Sequence, residues 1–349
     1  MKVELPGIAA PLIDWQKRHG RHALPWQQTR DPYRVWLSEI MLQQTQVATV
    51  LGYYDRFLAR FPDVASLAAA PLDDVLALWA GLGYYSRARN LHRCAQAVMS
   101  DFGGAFPPSA AQLVSLPGIG RSTAAAIAAF CFGERTAILD GNVKRVLTRV
   151  LAFEDDLAST THERRLWAIA EQLLPQDQGI EAYTQGLMDL GATLCSMRQP
   201  LCNSCPLSDL CEAHRQDRTE QFPVKTRKVK RSRRANALLW LQQGDAVWLV
   251  QRPDTGVWAG LWSMPEFEDL EAAEAWLGDW PGERQPLPVV RHVLTHFDWE
   301  LSPLRHTLPE RTGPKRLERL QRTWPTGKWV TLADLPAHGL PAPVAKLLR

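Results

Sequence analysis

The sequence predicts a multidomain chain: an all-α domain over residues 1–224, a basic linker over 225–234, and an α+β domain over 235–349. Three observations carry this prediction. Before residue 235 the apolar residues recur at helical spacing, with no strand-like alternation. Beyond it, short apolar runs are separated by turn residues such as Gln243-Gly244-Asp245, the pattern of antiparallel strands. Between the two lies a ten-residue run with seven basic and no acidic side chains. A chain of 349 residues is long enough for two or three domains, each with its own core.

Composition narrows the class. Apolar residues make up 46% and charged residues 22%, as in an ordinary globular protein. No stretch approaches membrane-spanning length, and residues 1–10 lack the apolar core of a signal peptide, so a cytoplasmic protein with no membrane partner is expected. The net charge of +3 divides unevenly. Residues 1–224 hold 21 basic and 23 acidic side chains, and residues 235–349 hold 12 and 14, so the excess resides in the linker. Nucleic-acid binding would therefore rest on local patches such as Arg87/Arg89/Arg93 and Lys144/Arg145/Arg149.

In chain order, residues 11–20 read as a short amphipathic helix ended by Gly20. Asp31-Pro32 starts the next helix, with Pro32 at its first position. Tyr33, Trp36, Leu37 and Ile40 form its core-facing stripe, and Glu39 lies beside that stripe. Such an acid should be partly desolvated and remain protonated, although most helix glutamates are simply solvated. Gln43-Gln44-Thr45-Gln46 breaks the apolar pattern. A helix over 72–80 ends at Gly81-Leu82-Gly83, and Tyr84-Tyr85-Ser86-Arg87 opens another. An aromatic at a glycine turn beside arginines suits a base-stack wedge or plain core packing.

The central stretch is Leu116-Pro117-Gly118-Ile119-Gly120-Arg121-Ser122-Thr123. Pro117 ends one helix, Gly118 and Gly120 allow a tight hairpin through unusual backbone angles, and residues 121–132 form an Ala-rich helix. The first N–H groups of that helix have no internal partners and offer donors to a phosphate without reading a base. Asp140-Gly141-Asn142 follows it. On the residues alone, an ordinary helix–turn–helix with a capping Asp explains the stretch as well.

Cys195, Cys202, Cys205 and Cys211 cluster in a loop-rich segment with Pro200 and Pro206. Four thiolates at this spacing imply a metal in a reducing compartment, either Zn(Cys)4 or a [4Fe–4S] cluster, and spacing alone does not choose between them. Cys94 and Cys131 fall in helix patterns and read as buried thiols. In the last third, strands are expected at 237–241, 246–251, 291–297 and 299–304, with short helices at 270–277 and 343–348.

The hairpin, the stretch Trp36 to Gln46 and the cysteine spacing together resemble the helix-hairpin-helix DNA glycosylases of the endonuclease III superfamily, and within them the adenine DNA glycosylases of the MutY family. The resemblance covers nearly the whole chain. It implies a helix-hairpin-helix glycosylase domain with an iron–sulfur loop at 195–211, holding a [4Fe–4S] cluster on the four cysteines. It further implies a monomer that acts at the nucleoid in base excision repair, on double-stranded DNA with adenine opposite 8-oxoguanine or guanine. Glu39 matches the acid at the base, Asp140 the anion at the sugar, and Asn142 a residue that helps hold the sugar or its water. Gln43, Gln44 and Tyr84 match wedges into the duplex. Arg87, Gly118, Gly120, Arg121, Ser122 and Lys144 fall at DNA-contact positions.

Two readings compete with that one. An endonuclease III-like pyrimidine glycosylase with lyase activity would carry a Schiff-base Lys where Ser122 stands. A non-catalytic iron–sulfur DNA-binding protein would not need both Glu39 and Asp140. The last third resembles Nudix hydrolases through Gln251-Arg252-Pro253 and Trp258 to Trp262, but Glu266 to Glu274 does not reproduce their Mg²⁺-holding acidic helix. A binding role follows. In Arg291 to Phe297 the turn resembles the family's Phe-Ser-His lesion loop, with Leu294 for Phe, Thr295 for Ser, and His296 retained. The expected lesion contacts are Thr295 and His296.

Overall fold

A computed structural model describes residues 5–226, 231–310 and 313–348. The described residues group into two compact units. One takes in 5–50, 63–65 and 93–226, and the other 51–62, 66–92 and 231–348. The grouping in space is thus interleaved, because residues 51–62 and 66–92, helical in sequence and structure, pack with the last third of the chain. Part of the basic linker, residues 227–230, lies outside the described residues.

The first unit is helical. Helix Pro32–Leu42 starts where Asp31 Oδ1 accepts the Tyr33 N–H at 2.9 Å, with Pro32 in the first turn. Its expected stripe is buried, and so are Val35 and Met41, which makes it a core helix rather than a one-sided one. Trp36 is fully buried against Phe106, ring centroids 5.2 Å apart, and its loss to Ala would cost about 3–5 kcal/mol. Helix Arg121–Phe132 buries Ala124 to Ala129 and ends at Gly133 in the left-handed conformation. Its run of alanines lets helices approach closely, and a core cluster of this unit includes Ala125, Leu147, Leu187 and Leu190.

The hairpin before that helix differs from expectation at one glycine. Gly118 has φ 78°, the left-handed region that favours glycine. Gly120 has φ −83° and ψ 167°, which any residue adopts, and nothing lies within 4 Å of where its Cβ would stand. The backbone therefore needs glycine at 118 only. At 120 the missing side chain leaves open space in front of the helix N-terminus.

The second unit contains the sheet. Its strands are β1 Ser232–Gln243, β2 Ala246–Gln251, β3 Trp262–Ser263, β4 Glu266–Phe267, β5 Glu283–Pro286, β6 Val290–Val293, β7 Phe297–Leu308 and β8 Lys328–Thr331. The order is β3-β2-β1-β7-β5, with β4 on β1, β6 on β7 and β8 on β2. The central pair, β1 and β7, runs parallel in unbroken register from Ser232↔Phe297 to Gln243↔Leu308. β1 begins at Ser232, so the last three residues of the basic run are paired strand rather than linker. Helix Leu270–Leu277 falls where its pattern put it, capped by Asp269 Oδ1 accepting from Ala272 N–H. Strands β3, β4, β5 and β8 and helix Pro314–Thr323 were not legible, because two- to four-residue strands carry too little alternation to show.

Candidate active site

Glu39 projects from helix Pro32–Leu42 into a cavity of about 290 Å³, whose walls include Arg21, His22, Trp26, Gln27 and Glu181. That size is at the small end of ligand pockets, roughly 300 Å³. Burial pushes the Glu39 carboxyl from an ordinary 4.5 up to about 8, and the charge of Asp140 adds to the push. At neutral pH this group is an acid with a proton to give.

Asp140 caps the next helix, Gly141–Val150, with Oδ1 accepting the Val143 N–H at 2.8 Å. Burial raises its pKa, while hydrogen bonds from the Val143 and Asn142 backbone, then Arg145 and Lys144, pull it back toward the charged form. The two carboxyls are thus unequal: burial raises both, but only Asp140 has backbone donors and nearby cations that offset part of the rise.

Several neighbours hold this pair. Ser122 Oγ accepts the Leu139 N–H at 3.0 Å, which pins the residue before Asp140 to the hairpin helix. Gln43 Nε2 reaches Thr123 Oγ1 at 3.5 Å. Asn142 Oδ1 accepts from Arg145 Nη2 at 2.9 Å, and the same nitrogen donates to Gly191 O at 2.6 Å. A Cβ on Gly191 would stand 2.6 Å from Asn142 Cβ, so glycine at 191 is what allows Asn142 its place.

The arginine patches of the sequence reading are largely not patches. Arg145 and Arg149 are buried and serve the cysteine loop. Arg145 Nε donates to Cys195 O at 2.7 Å. Arg149 donates to Thr219 O, Ser196 O and Met197 O, and its Nη1 lies 3.3 Å from Cys195 Sγ. Arg121 covers the Trp167 ring at 4.0 Å and pairs with Glu171, and Lys144 pairs with Glu163. By helical spacing Arg145 and Arg149 lie off the face shared by Val143, Val146, Leu147 and Val150, so the sequence held no signal for the burial of this pair.

In the second unit Arg87 is also turned inward. Its Nη2 donates to Leu82 O and Gly83 O, both at 3.2 Å, and its guanidinium lies 5.6 Å from the Tyr84 ring. Burial lowers its pKa to about 10. It braces the turn that presents Tyr84. Tyr84 is 47% exposed and held at φ 47°, a strained angle for a residue with a side chain. Gln44 in the first unit is likewise exposed, at φ 56°. The structure brings Tyr84 and Thr295 together, their hydroxyls 3.3 Å apart. Thr295 and His296 are exposed in the turn between β6 and β7, and His296 O accepts the Ser232 N–H.

Cys195, Cys202, Cys205 and Cys211 line one cavity with Leu194, Leu207 and Arg149. No three His, Cys, Asp or Glu side chains among the described residues converge on a single-ion site. Cys94 is fully buried, and burial pushes both the Cys94 and Cys131 thiols up to about 12, as expected for inert thiols.

Known proteins resemble this chain. Residues 37–172 match the model of the HhH-GPD superfamily of base excision DNA repair proteins, and residues 236–349 match a NUDIX domain. An adenine DNA glycosylase of Buchnera aphidicola subsp. Baizongia pistaciae is 34% identical over 343 residues, 97% of this chain and 94% of that protein. The chain belongs to the adenine DNA glycosylase family. The adenine DNA glycosylase of Homo sapiens is 35% identical over 84% of this chain and 66% of its own length. Among solved structures, a thermostable thymine-DNA glycosylase is 29% identical, with a TM-score of 0.53 over 60% of this chain and 95% of that one. Endonuclease III in a non-covalent DNA complex, at 22% identity and a TM-score of 0.51 over 60% of this chain and 96% of that one, shows the fold. Among the described residues no helix is long and apolar enough to cross a membrane.

Proposed function

We propose that this protein hydrolyses the N-glycosidic bond of adenine opposite 8-oxoguanine or guanine in double-stranded DNA, leaving an abasic site for base excision repair. The observation that carries it is the carboxyl of Glu39, held protonated near neutrality at a cavity wall, with Asp140 close enough for its charge to act on Glu39 and bonded by backbone donors of its own. Adenine leaves poorly unless its ring accepts a proton. As the bond breaks, C1′ gains positive charge. Glu39 supplies the proton to the base, and Asp140 stabilises the developing cation at the sugar. Asn142, fixed by Arg145, holds the sugar or its water. The base must leave the stack first, at a cost of about a few kcal/mol. Gln43, Gln44 and Tyr84 act on the duplex there, and the strained, exposed angles of Gln44 and Tyr84 suit wedges. The open space at Gly120 and the free N–H groups of helix Arg121–Phe132 suit a phosphate.

Thr295 and His296 read the 8-oxoguanine, with the Thr295 hydroxyl already set against Tyr84. The four cysteines hold a [4Fe–4S] cluster. In support, all four line one cavity, and the buried Arg149 cation reaches Cys195 Sγ, where it offsets thiolate charge. That group, when bound, organises the loop and supplies no hydrolytic chemistry. The protein works as a monomer in the cytoplasm at the nucleoid.

A duplex with a single A·8-oxoG pair tests the reaction. Free adenine should appear, with the strand intact until alkali or heat is applied. Strand breaks that keep pace with base release would favour the lyase reading instead.

A further inference from the structure

One wall of the Glu39 cavity has little structure of its own. Residues 20–30 contain only the 3-10 turn Pro25–Gln27, yet they contribute Arg21, His22, Leu24, Trp26 and Gln27 to the lining. Their anchor lies far away in sequence. Asp189, on helix Ile180–Thr193, is 0% exposed. Its Oδ2 accepts the Arg21 backbone N–H at 2.9 Å. Its Oδ1 accepts Arg21 Nε at 2.7 Å and Gln185 Nε2 at 2.8 Å. A buried carboxylate is costly unless its lone pairs are filled, and here two of the three donors belong to one residue. Main chain and side chain of Arg21 are thereby fixed together. A second tie continues the wall: the His22 ring meets Gln16 O at 2.9 Å, and Gln28 donates to His22 O.

We propose that Asp189 is a positioning residue for base removal, fixing the wall of the Glu39 cavity through Arg21 and neutralising the Arg21 charge there. The proposal rests on reading Glu39 as the acid. Glu39 is also faced by Asp140, by His22, by the ion pair of Arg30 with Glu181 and by the Cys131 thiol. Within that set, loss of the Asp189 charge leaves Arg21 as an unbalanced cation at the cavity, and a cation favours ionised Glu39. A slack wall lowers the rate, and an uncovered Arg21 moves the pH at which the acid is lost.

The test is single-turnover adenine release against pH, from about 5 to 9, for wild type, Asp189→Asn, Arg21→Met, the double variant and Glu39→Gln. Asp189→Asn should lose roughly 10–100-fold of the plateau rate, as misplacement of a reacting group does. Its alkaline limb should also move to lower pH. In the double variant the limb should return while the rate stays low, and the two losses should not add. Arg21 is partly exposed at the cavity rim, and Arg21→Met carries the test if Asp189→Asn folds poorly: its rate should fall at least tenfold at temperatures where its melting curve shows it folded, although loss of the partner of buried Asp189 lowers the melting temperature. Wild-type rates and an unmoved limb in Asp189→Asn and Arg21→Met, with Glu39→Gln inactive, would overturn the positioning role and leave the acid standing. A fully active Glu39→Gln would overturn the acid reading and this proposal with it.

Discussion

Glu39→Gln separates the protonation of this residue from its shape. The amide fills the same space but has no proton to transfer. With a pKa of about 8, Glu39 is about nine-tenths protonated at pH 7, whereas a carboxyl at 4.5 would be protonated at only a few parts in a thousand. Adenine release should fall by about 10²–10⁴-fold while DNA binding is retained. The wild-type rate should hold through neutrality and decline as pH rises past 8. The same shift has a stability sign. Between 4.5 and 8 the folded state keeps a proton that the unfolded chain has lost, so the favourable contribution of the neutral carboxyl fades as pH rises across that window. Above it, Glu39→Gln should melt higher than wild type, by about 1–3 kcal/mol once partial exposure of the side chain is discounted. Single-turnover kinetics and melting curves at about pH 5.5 and 9 check both points. A variant with near-normal rate, or a wild-type rate that already falls at ordinary carboxyl pH, would refute the assignment of Glu39 as the acid.

Other outcomes follow from the same geometry. Asp140→Asn should reduce single-turnover release by a similar factor of about 10²–10⁴ without loss of duplex binding, and an unimpaired rate would remove the anion from the mechanism. Purified protein should be yellow-brown, with about four iron and four sulfide per chain, and Cys202→Ser should lower folding yield or DNA affinity more than the chemical step. Colourless, active protein with stoichiometric zinc would contradict the cluster. Thr295→Ala with His296→Ala should erode the preference for 8-oxoguanine over guanine by roughly 1–3 kcal/mol, read as the ratio of kcat/KM values. Point changes suit this question better than truncation, because residues 66–92 pack in one unit with the last third of the chain. An unchanged ratio would mean that the lesion is read by other residues.

Much of this was legible in the sequence where local chemistry dictates local structure. Asp31-Pro32 starts a helix because a cap and a fixed φ are local demands, and the Ala-rich run 121–132 is the helix its pattern predicts. Asp140 is a helix cap, and that role is compatible with the part proposed for it at the sugar. What was not legible is long-range. Arg21 and Asp189 are 168 residues apart, and nothing in the spacing of either announces the other. Arg145 and Arg149 looked like a phosphate patch because their buried backbone acceptors, around Cys195 and Ser196, come from a distant loop. Arg87 misled for the same reason at shorter range, since its acceptors are the carbonyls of the turn it follows.

The reading as an adenine-specific repair enzyme is tested most directly by the single-turnover release of free adenine from matched duplexes with A opposite 8-oxoguanine, guanine or thymine. Release should be fastest opposite 8-oxoguanine, slower opposite guanine and negligible opposite thymine. Equal rates on all three, or no adenine from any of them, would contradict it.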